Sequence, residues 1–507
     1  MQYTNPVVRG CYPDPSVCRD GEWFYLVNSS FEFFPAVPVS RSKDLVHWEN
    51  IGHCITREDQ LFLGPTVRQS ASGIYAPSIR CKDGVFYMVV TNVTDEEKDK
   101  GNFYVWTKDP AGEWSDPIFL GTPGIDPSFF FDDDGTDYYV GTQNNEIYVC
   151  PIDLKEGKLI GEPVGLWKGT GGSYPEGPHI YKKNDWYYLL ISEGGTERSH
   201  MITMARSKKI EGPYEVCPNN PVLTNRSLLR PIESVGHADL VEDQNGNWWA
   251  VCLGTRTFSY PPKHNLGRET MLVPVNWEGD WPVFGNNGSL DQVVETDLLP
   301  VKDDTPYKYQ DYHYDFNEPT LDLSWNVLYT PVEKLYETGN GELVLKGNEC
   351  SISEMAYYAW VGRRQCEHNT VSSVDLCFET VQDGEEAGLT IFMNHKHHYE
   401  AAITQVDGKR KIIFRRQIGS LIHVENEILL EGDYVTFEME SDKDYYTFYY
   451  RLPNRERTYL GKGETTYITT EVGGSFTGNY IALFAMGNGK KCVAEAKFTN
   501  FNYKEQA

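Results

Sequence analysis

Nowhere does this 507-residue chain sustain the roughly 18 apolar residues that a membrane-crossing helix needs. Basic residues are short: 46 Lys and Arg stand against 73 Asp and Glu, a net charge of −27. Nucleic acid and anionic membranes carry the same sign, so both are poor partners. The sequence has no Cys-x-x-Cys pair. Its 11 cysteines are odd in number and scattered, which argues against a zinc ribbon or a disulfide framework and for free thiols in a reducing cytoplasm. Met1-Gln-Tyr-Thr-Asn-Pro shows neither a basic n-region nor an apolar h-region, so no secretory signal is expected. Phosphate-loop and dinucleotide fingerprints are missing. No long window keeps a helical period, and this favours an all-β chain.

What is plentiful agrees with strands. Aromatic residues make up 13%, Tyr alone counts 33, and 45 Gly and 28 Pro supply turns. Five segments repeat one plan of lead residue, short strand, polar turn and aromatic strand. They begin at Asp14, Ala76, Asp126, Glu176 and His237, spaced 62, 50, 50 and 61 residues apart. A strand-built repeat of that period predicts a five-bladed β-propeller over residues 1–297. In a closed ring, equivalent positions face one axis, so Asp14, Asp126 and Glu176 should meet at its mouth. Taken singly, an Asp before Pro-Ser is also a turn cap. At the same place in three repeats, the acids suit a hydrolytic site. Glycoside hydrolysis needs one protonated and one ionised carboxyl across the scissile bond, and a third acid can hold the donor's proton affinity up.

Residues 298–310 contain two Pro and lose the repeat, which predicts a linker. From 311 to 507 a new run of short strands predicts a β-sandwich, with Gly388-Leu-Thr-Ile-Phe-Met and the strand at Tyr480 buried. Asp44-Leu-Val-His-Trp48 and Lys209-Ile-Glu-Gly-Pro-Tyr214 look like connections between blades. Asp132-Asp-Asp-Asp-Gly lacks calcium-loop spacing and reads as a hairpin turn. His395, His397 and His398 read as a polar turn without a fourth ligand.

The blocks Asn5-Pro-Val-Val-Arg-Gly-Cys-Tyr-Pro-Asp-Pro-Ser, Gly124-Ile-Asp-Pro-Ser-Phe-Phe-Phe and Pro175-Glu-Gly-Pro-His-Ile-Tyr resemble, in order, the signature blocks of glycoside hydrolase family 43. Gly236-His-Ala-Asp-Leu-Val and Leu266-Gly-Arg-Glu-Thr are similar to it as well. The second half resembles the jelly-roll, concanavalin-like sandwich of the family's β-xylosidases, including Gly362-Arg-Arg-Gln. The resemblance implies an inverting exo-hydrolase that releases terminal D-xylose from β-1,4-xylo-oligosaccharides. An α-L-arabinofuranosidase acting on arabinoxylan or arabinan fragments is the near alternative, and a non-catalytic carbohydrate-binding propeller a remote one. It assigns Asp14 as general base, Glu176 as general acid and Asp126 as the acid that tunes and orients it. Around them it places Arg268 near the sugar hydroxyls, Phe31 and Tyr75 as aromatic walls, and Phe476 as a closing side chain from the sandwich. Tyr75 and Ser78 stand where the family's β-xylosidases carry Trp and His. Phe31 and Phe476 also suit core positions, and His237 also suits a plain structural histidine. The resemblance asks for no organic cofactor, admits calcium at His237, and is compatible with a homo-oligomer.

Overall fold

The computed structural model describes residues 1–65, 71–303 and 305–506. The first half forms five antiparallel sheets of four or five strands each. Their first strands are Ser16–Asp20, Ser78–Lys82, Ser128–Phe131, Glu176–Lys183 and Ile232–Glu242. Each touches the next, and the last returns to the first, so the five sheets close as the blades of a propeller. Gln2–Thr4 pairs with Val293–Glu295, tying the two ends of this half together. The polar turns inside the repeats are hairpins. At Asp83-Gly84 and Asn184-Asp185 both central residues have positive φ, the twist that tight two-residue hairpins require.

Asp44–Trp48 lies between the third and fourth strands of blade one, and Lys209–Tyr214 between the third and fourth strands of blade four. Both therefore turn the chain within a blade, where connections between blades had been expected. Asp132 does close a hairpin, with its N–H donating to the Thr136 carbonyl at 3.0 Å. His397 and His398 have left the turn and open the buried strand His397–Val406.

Below the mouth, one carboxylate laces four blades. Asp239 accepts bonds from the Ser16 hydroxyl (2.6 Å), the Val17 N–H (3.0 Å), both terminal nitrogens of Arg80 (2.8 and 2.9 Å) and the Tyr181 hydroxyl (2.6 Å). Burial opposes its charge, but Arg80, His179 and these bonds hold its proton affinity far below the ordinary carboxylate range.

The second half is a sandwich of two eight-stranded sheets. Alternation is clear in Thr370–Cys377, which buries every second residue, while Glu386–Asn394 and Tyr480–Met486 are buried throughout. Phe33–Phe34, from the propeller half, joins the edge of one sandwich sheet by pairing with Trp325–Leu328. Salt bridges reinforce this interlock. Arg256 binds Glu269 of its own blade (2.7 Å) and Glu367 of the sandwich (2.6 Å), and Glu367 also takes Arg9 at 2.5 Å.

Candidate active site

All five repeat leaders line one cavity of about 370 Å³ at the mouth of the propeller. Phe31, Tyr75, Arg268 and Phe476 line it too, so the three acids, His237 and the expected sugar-contacting residues are brought to one place. The backbone is shaped for this. Asp14, Asp126 and His237 have φ of 51°, 54° and 46°, a left-handed conformation that non-glycine residues rarely hold and that clusters at functional sites. In blade four the corresponding twist falls on Gly177 (φ +57°), where a Cβ would meet the His237 ring at 3.0 Å. The glycine lets Glu176 approach that ring.

Asp14 is buried between donors. Arg268 Nη1 donates to Oδ1 at 2.8 Å and the Ser29 hydroxyl to Oδ2 at 2.5 Å. Burial alone would raise its proton affinity, but the Arg268 charge, His237 and the Ser29 bond outweigh it, and the carboxyl stays ionised below the usual range. The other two acids go the opposite way. Burial, and next the Asp14 charge, push half-buried Glu176 up to about 7, against some lowering by Arg268. Burial, then Glu176 and Asp14, raise Asp126 well above its ordinary value. Asp126, Glu176 and His237 present polar atoms within 4.8 Å of one another, so the two acids titrate as a pair. His237 is held neutral, first by burial, and its Nδ1 lies 3.9 Å from Asp14.

That trio is also a cluster of the donor types that bind cations. Calcium takes six to eight oxygen ligands. Two carboxyls and one imidazole offer at most four oxygens, fewer than that set, so these three side chains do not by themselves make a calcium site.

Phe476 is carried in from the sandwich by a backbone-to-backbone crossing. A Cβ on Gly478 would lie 2.3 Å from the Leu266 carbonyl oxygen, and one on Gly267 would lie 2.9 Å from the Gly478 nitrogen. Only glycine permits that approach. Phe476 then stacks near Phe31 (6.2 Å between centroids) and edge-on to Tyr75 (6.2 Å), with the Arg268 guanidinium 5.6 and 5.7 Å from the Phe31 and Phe476 rings.

Five lining residues escaped the sequence reading: Ile125, Tyr174, Gly195, Thr196 and Glu197. Thr196 takes a second bond from Arg268 Nη1 at 2.9 Å. Tyr174 is 65% exposed, with φ 53°. The segment before it is pinned by buried Glu193, which accepts from the Thr170 and Gly172 N–H groups (2.9 Å each) and the Thr203 hydroxyl (2.5 Å). The only signal for Tyr174 was its place two residues before Glu176; nothing in the repeat marks the loop of Thr196 and Glu197.

Comparison with known proteins gives a concordant picture. Residues 3–282 match the family model of glycosyl hydrolases family 43, and residues 313–504 match the beta xylosidase C-terminal concanavalin A-like domain. A non-reducing end alpha-L-arabinofuranosidase of Bacteroides ovatus is 38% identical, the alignment covering 99% of this chain and 94% of the relative. A xylosidase/arabinosidase of Butyrivibrio fibrisolvens is 39% identical over 99% of both chains. Among solved structures, a Bacteroides ovatus protein from a xyloglucan locus superposes with a TM-score of 0.94 at 36% identity, covering 99% of each chain.

Proposed function

The chain belongs to glycosyl hydrolases family 43 and is a glycoside hydrolase, and from that premise we propose that it removes single terminal pentoses, D-xylose from β-1,4-xylo-oligosaccharides in the first place, with inversion. The observation that carries the proposal is one pocket holding an ionised Asp14 together with a proton-bearing Asp126–Glu176 pair. Asp14, fixed by Arg268 and Ser29, takes a proton from water as the water attacks the anomeric carbon. Glu176 gives its proton to the departing glycosidic oxygen. Asp126, whose proton affinity is raised by burial and then by Glu176 and Asp14, lies beside Glu176 and orients it.

Phe476, Phe31 and Tyr75 offer apolar faces to one sugar ring, and Arg268 offers charge to its hydroxyls. A pocket closed by the second domain suits attack at chain ends. The printed names of the two relatives support a second reading, an α-L-arabinofuranosidase activity at the same site. Kinetics on paired aryl β-xyloside and aryl α-arabinofuranoside separate the readings: the proposal expects the higher kcat/KM on the xyloside, and a large excess on the arabinofuranoside reverses the order. Proton NMR early in turnover of a β-xyloside should show α-xylose first. The β anomer appearing first would make Asp14 a nucleophile.

A further inference from the structure

Behind the aromatic walls of the pocket lies an acid that the chemistry above leaves unused. Glu32 follows Phe31 directly, is only 6% exposed and does not line the cavity. It is a three-way junction. Its carboxyl accepts the N–H of Ala71, in the approach to Tyr75, as well as its own N–H. Its carbonyl accepts the Tyr329 N–H of the sandwich at 2.7 Å. The two wall segments are pressed together here. Phe31 and Ile74 exchange backbone bonds of 2.9 and 3.1 Å, and a Cβ on Gly73 would lie 2.3 Å from the Phe31 carbonyl oxygen. Phe31 and Ala71 hold positive φ, of 50° and 62°. Such residues persist only where their surroundings over-determine them. The Glu32 bonds belong to those surroundings, and Phe31 meets Tyr75 edge-on at 5.8 Å.

The Glu32 carboxyl has no counter-charge among the described residues. Burial pushes it up to about 7, and the two N–H bonds offset only part of the rise. The titratable groups that face it are the hydroxyls of Tyr329, Tyr358 and Tyr480, all kept neutral by burial. Oε2 has no hydrogen-bond partner among the described residues. A charge formed there is unpaired and dry, and it is strongly disfavoured until water enters or the group moves out.

We infer that Glu32 is a positioning residue for this reaction: it fastens the Phe31 and Tyr75 walls to each other and to the sandwich, and so sets how tightly the pocket holds its sugar. It should act on KM and leave kcat to Asp14 and Glu176. The clamp holds while Glu32 is uncharged and slackens as the group ionises. The inference rests on the pentose reading proposed above, so its test includes a readout that needs no sugar.

The test compares the full chain with Glu32→Gln and Glu32→Ala. Gln keeps the shape and an acceptor oxygen but never ionises, and Ala removes the bond to Ala71. The substrate is an aryl β-xyloside, whose leaving group barely needs Glu176. From about pH 6 to about pH 8.5, which brackets the Glu32 value, the parent's KM should rise. That of Glu32→Gln should rise roughly two- to tenfold less, the weight of one hydrogen bond. Contributions from Asp126 and Glu176 are common to both proteins and cancel in the ratio. Glu32→Ala should raise KM at every pH with kcat little changed. A ratio of parent to Glu32→Gln KM that does not move with pH overturns the inference, as does a Glu32→Ala loss that falls on kcat. Should Glu32→Ala not fold, the Glu32→Gln comparison decides. Amide hydrogen exchange reads the clamp without sugar. Relative to Glu32→Gln, the parent should exchange faster at Ala71 and Ile74 as pH rises through about 7. Equal rates overturn the inference. Faster exchange in a protein that takes no pentoside keeps the clamp and overturns the pentose reading instead.

Discussion

Two carboxylate sites share the axis of this propeller and have opposite chemistry. Asp239, lower down, is one acid with five donated bonds, and its charge is settled. At the mouth, three acids share one arginine, whose two closest bonds go to Asp14 and Thr196. Both sites are buried and both contain an arginine, so neither feature distinguishes a catalytic carboxylate from a structural one. The ratio of donors to acids does. Where donors suffice, the acid is a tether. Where they run short, one acid takes the charge and the others keep their protons, and that division makes an acid and a base in one pocket. The sandwich holds an intermediate case, in which buried Glu386 and Glu400 share Arg415. The proton affinity of Glu386 is raised while that of Glu400 sits at about 2.

The sharpest way to break this comparison is to delete acids from each site. Asp14→Ala and Glu176→Ala should each lower turnover on xylobiose by roughly 10²–10⁴-fold, the usual weight of a general acid or base, with circular dichroism unchanged. Glu176→Ala should lose less on aryl xylosides, whose leaving groups barely need a proton. Wild-type turnover in either variant would remove the roles assigned here. Asp239→Ala should do the reverse. It strands Arg80 and should lower stability by about 3–5 kcal/mol, the range for breaking a buried pair, while folded protein keeps its chemistry. A mild effect in chemical denaturation would show the tether to be dispensable.

The comparison also fixes the pH behaviour. Asp14 must be ionised and its proton affinity is depressed, so activity should persist well into acid. Glu176 must be protonated, so activity should fall as pH rises through about 7. Stability follows with the same sign. A carboxyl raised in the folded state favours folding fully only below its unfolded value of about 4.3, and that advantage is lost by about pH 7. The melting temperature of Glu176→Gln should therefore gain on that of the parent between those limits and stay parallel above them. A gap that does not change with pH would mean that Glu176 is not raised.

Much of the propeller was legible because a repeat is a rule about position. Recurrence of one plan every 50 to 62 residues placed Asp14, Ala76, Asp126, Glu176 and His237 around one cavity before any strand was drawn. What the repeat does not encode was missed. Phe33–Phe34 crosses into the sandwich sheet because a two-residue edge pairing has no sequence period, and Asp44–Trp48 turns inside a blade because turn composition is the same in either place. Asp239 sat inside the quoted Gly236-His-Ala-Asp block, yet its five donors come from blades far apart in the sequence and leave no local signal.

Phe476 sharpens the comparison from the side of the sugar. It is held by a glycine crossing and not by the sandwich core, so Phe476→Ala should weaken kcat/KM on xylobiose roughly two- to tenfold, the scale of one aromatic contact, with the melting temperature unchanged. A large loss of thermal stability with normal activity in the folded fraction would make it a core residue instead.

The smallest expected effect concerns Tyr174, which the acids do not need. It lies two residues before the proton donor and lines the same cavity, so its ring is within the reach of a bound oligosaccharide. Glu193 pins the segment leading to it, and the Gly194 N–H ties to the Ser173 carbonyl at 2.7 Å, so an exposed side chain rests on a fixed backbone. A rigid, exposed aromatic beside a sugar pocket gains by stacking on the next sugar. That gain is on the order of 1 kcal/mol, about fivefold. Tyr174→Ala should therefore lower kcat/KM on xylobiose and xylotriose by a few fold, mainly through KM, and leave the pH profile in place. The control is a β-xyloside with a methyl leaving group, which has no ring to stack and should be unaffected. An equal loss on both substrates would mean that Tyr174 shapes Glu176 itself, and a shifted alkaline limb would confirm that it acts through the acid.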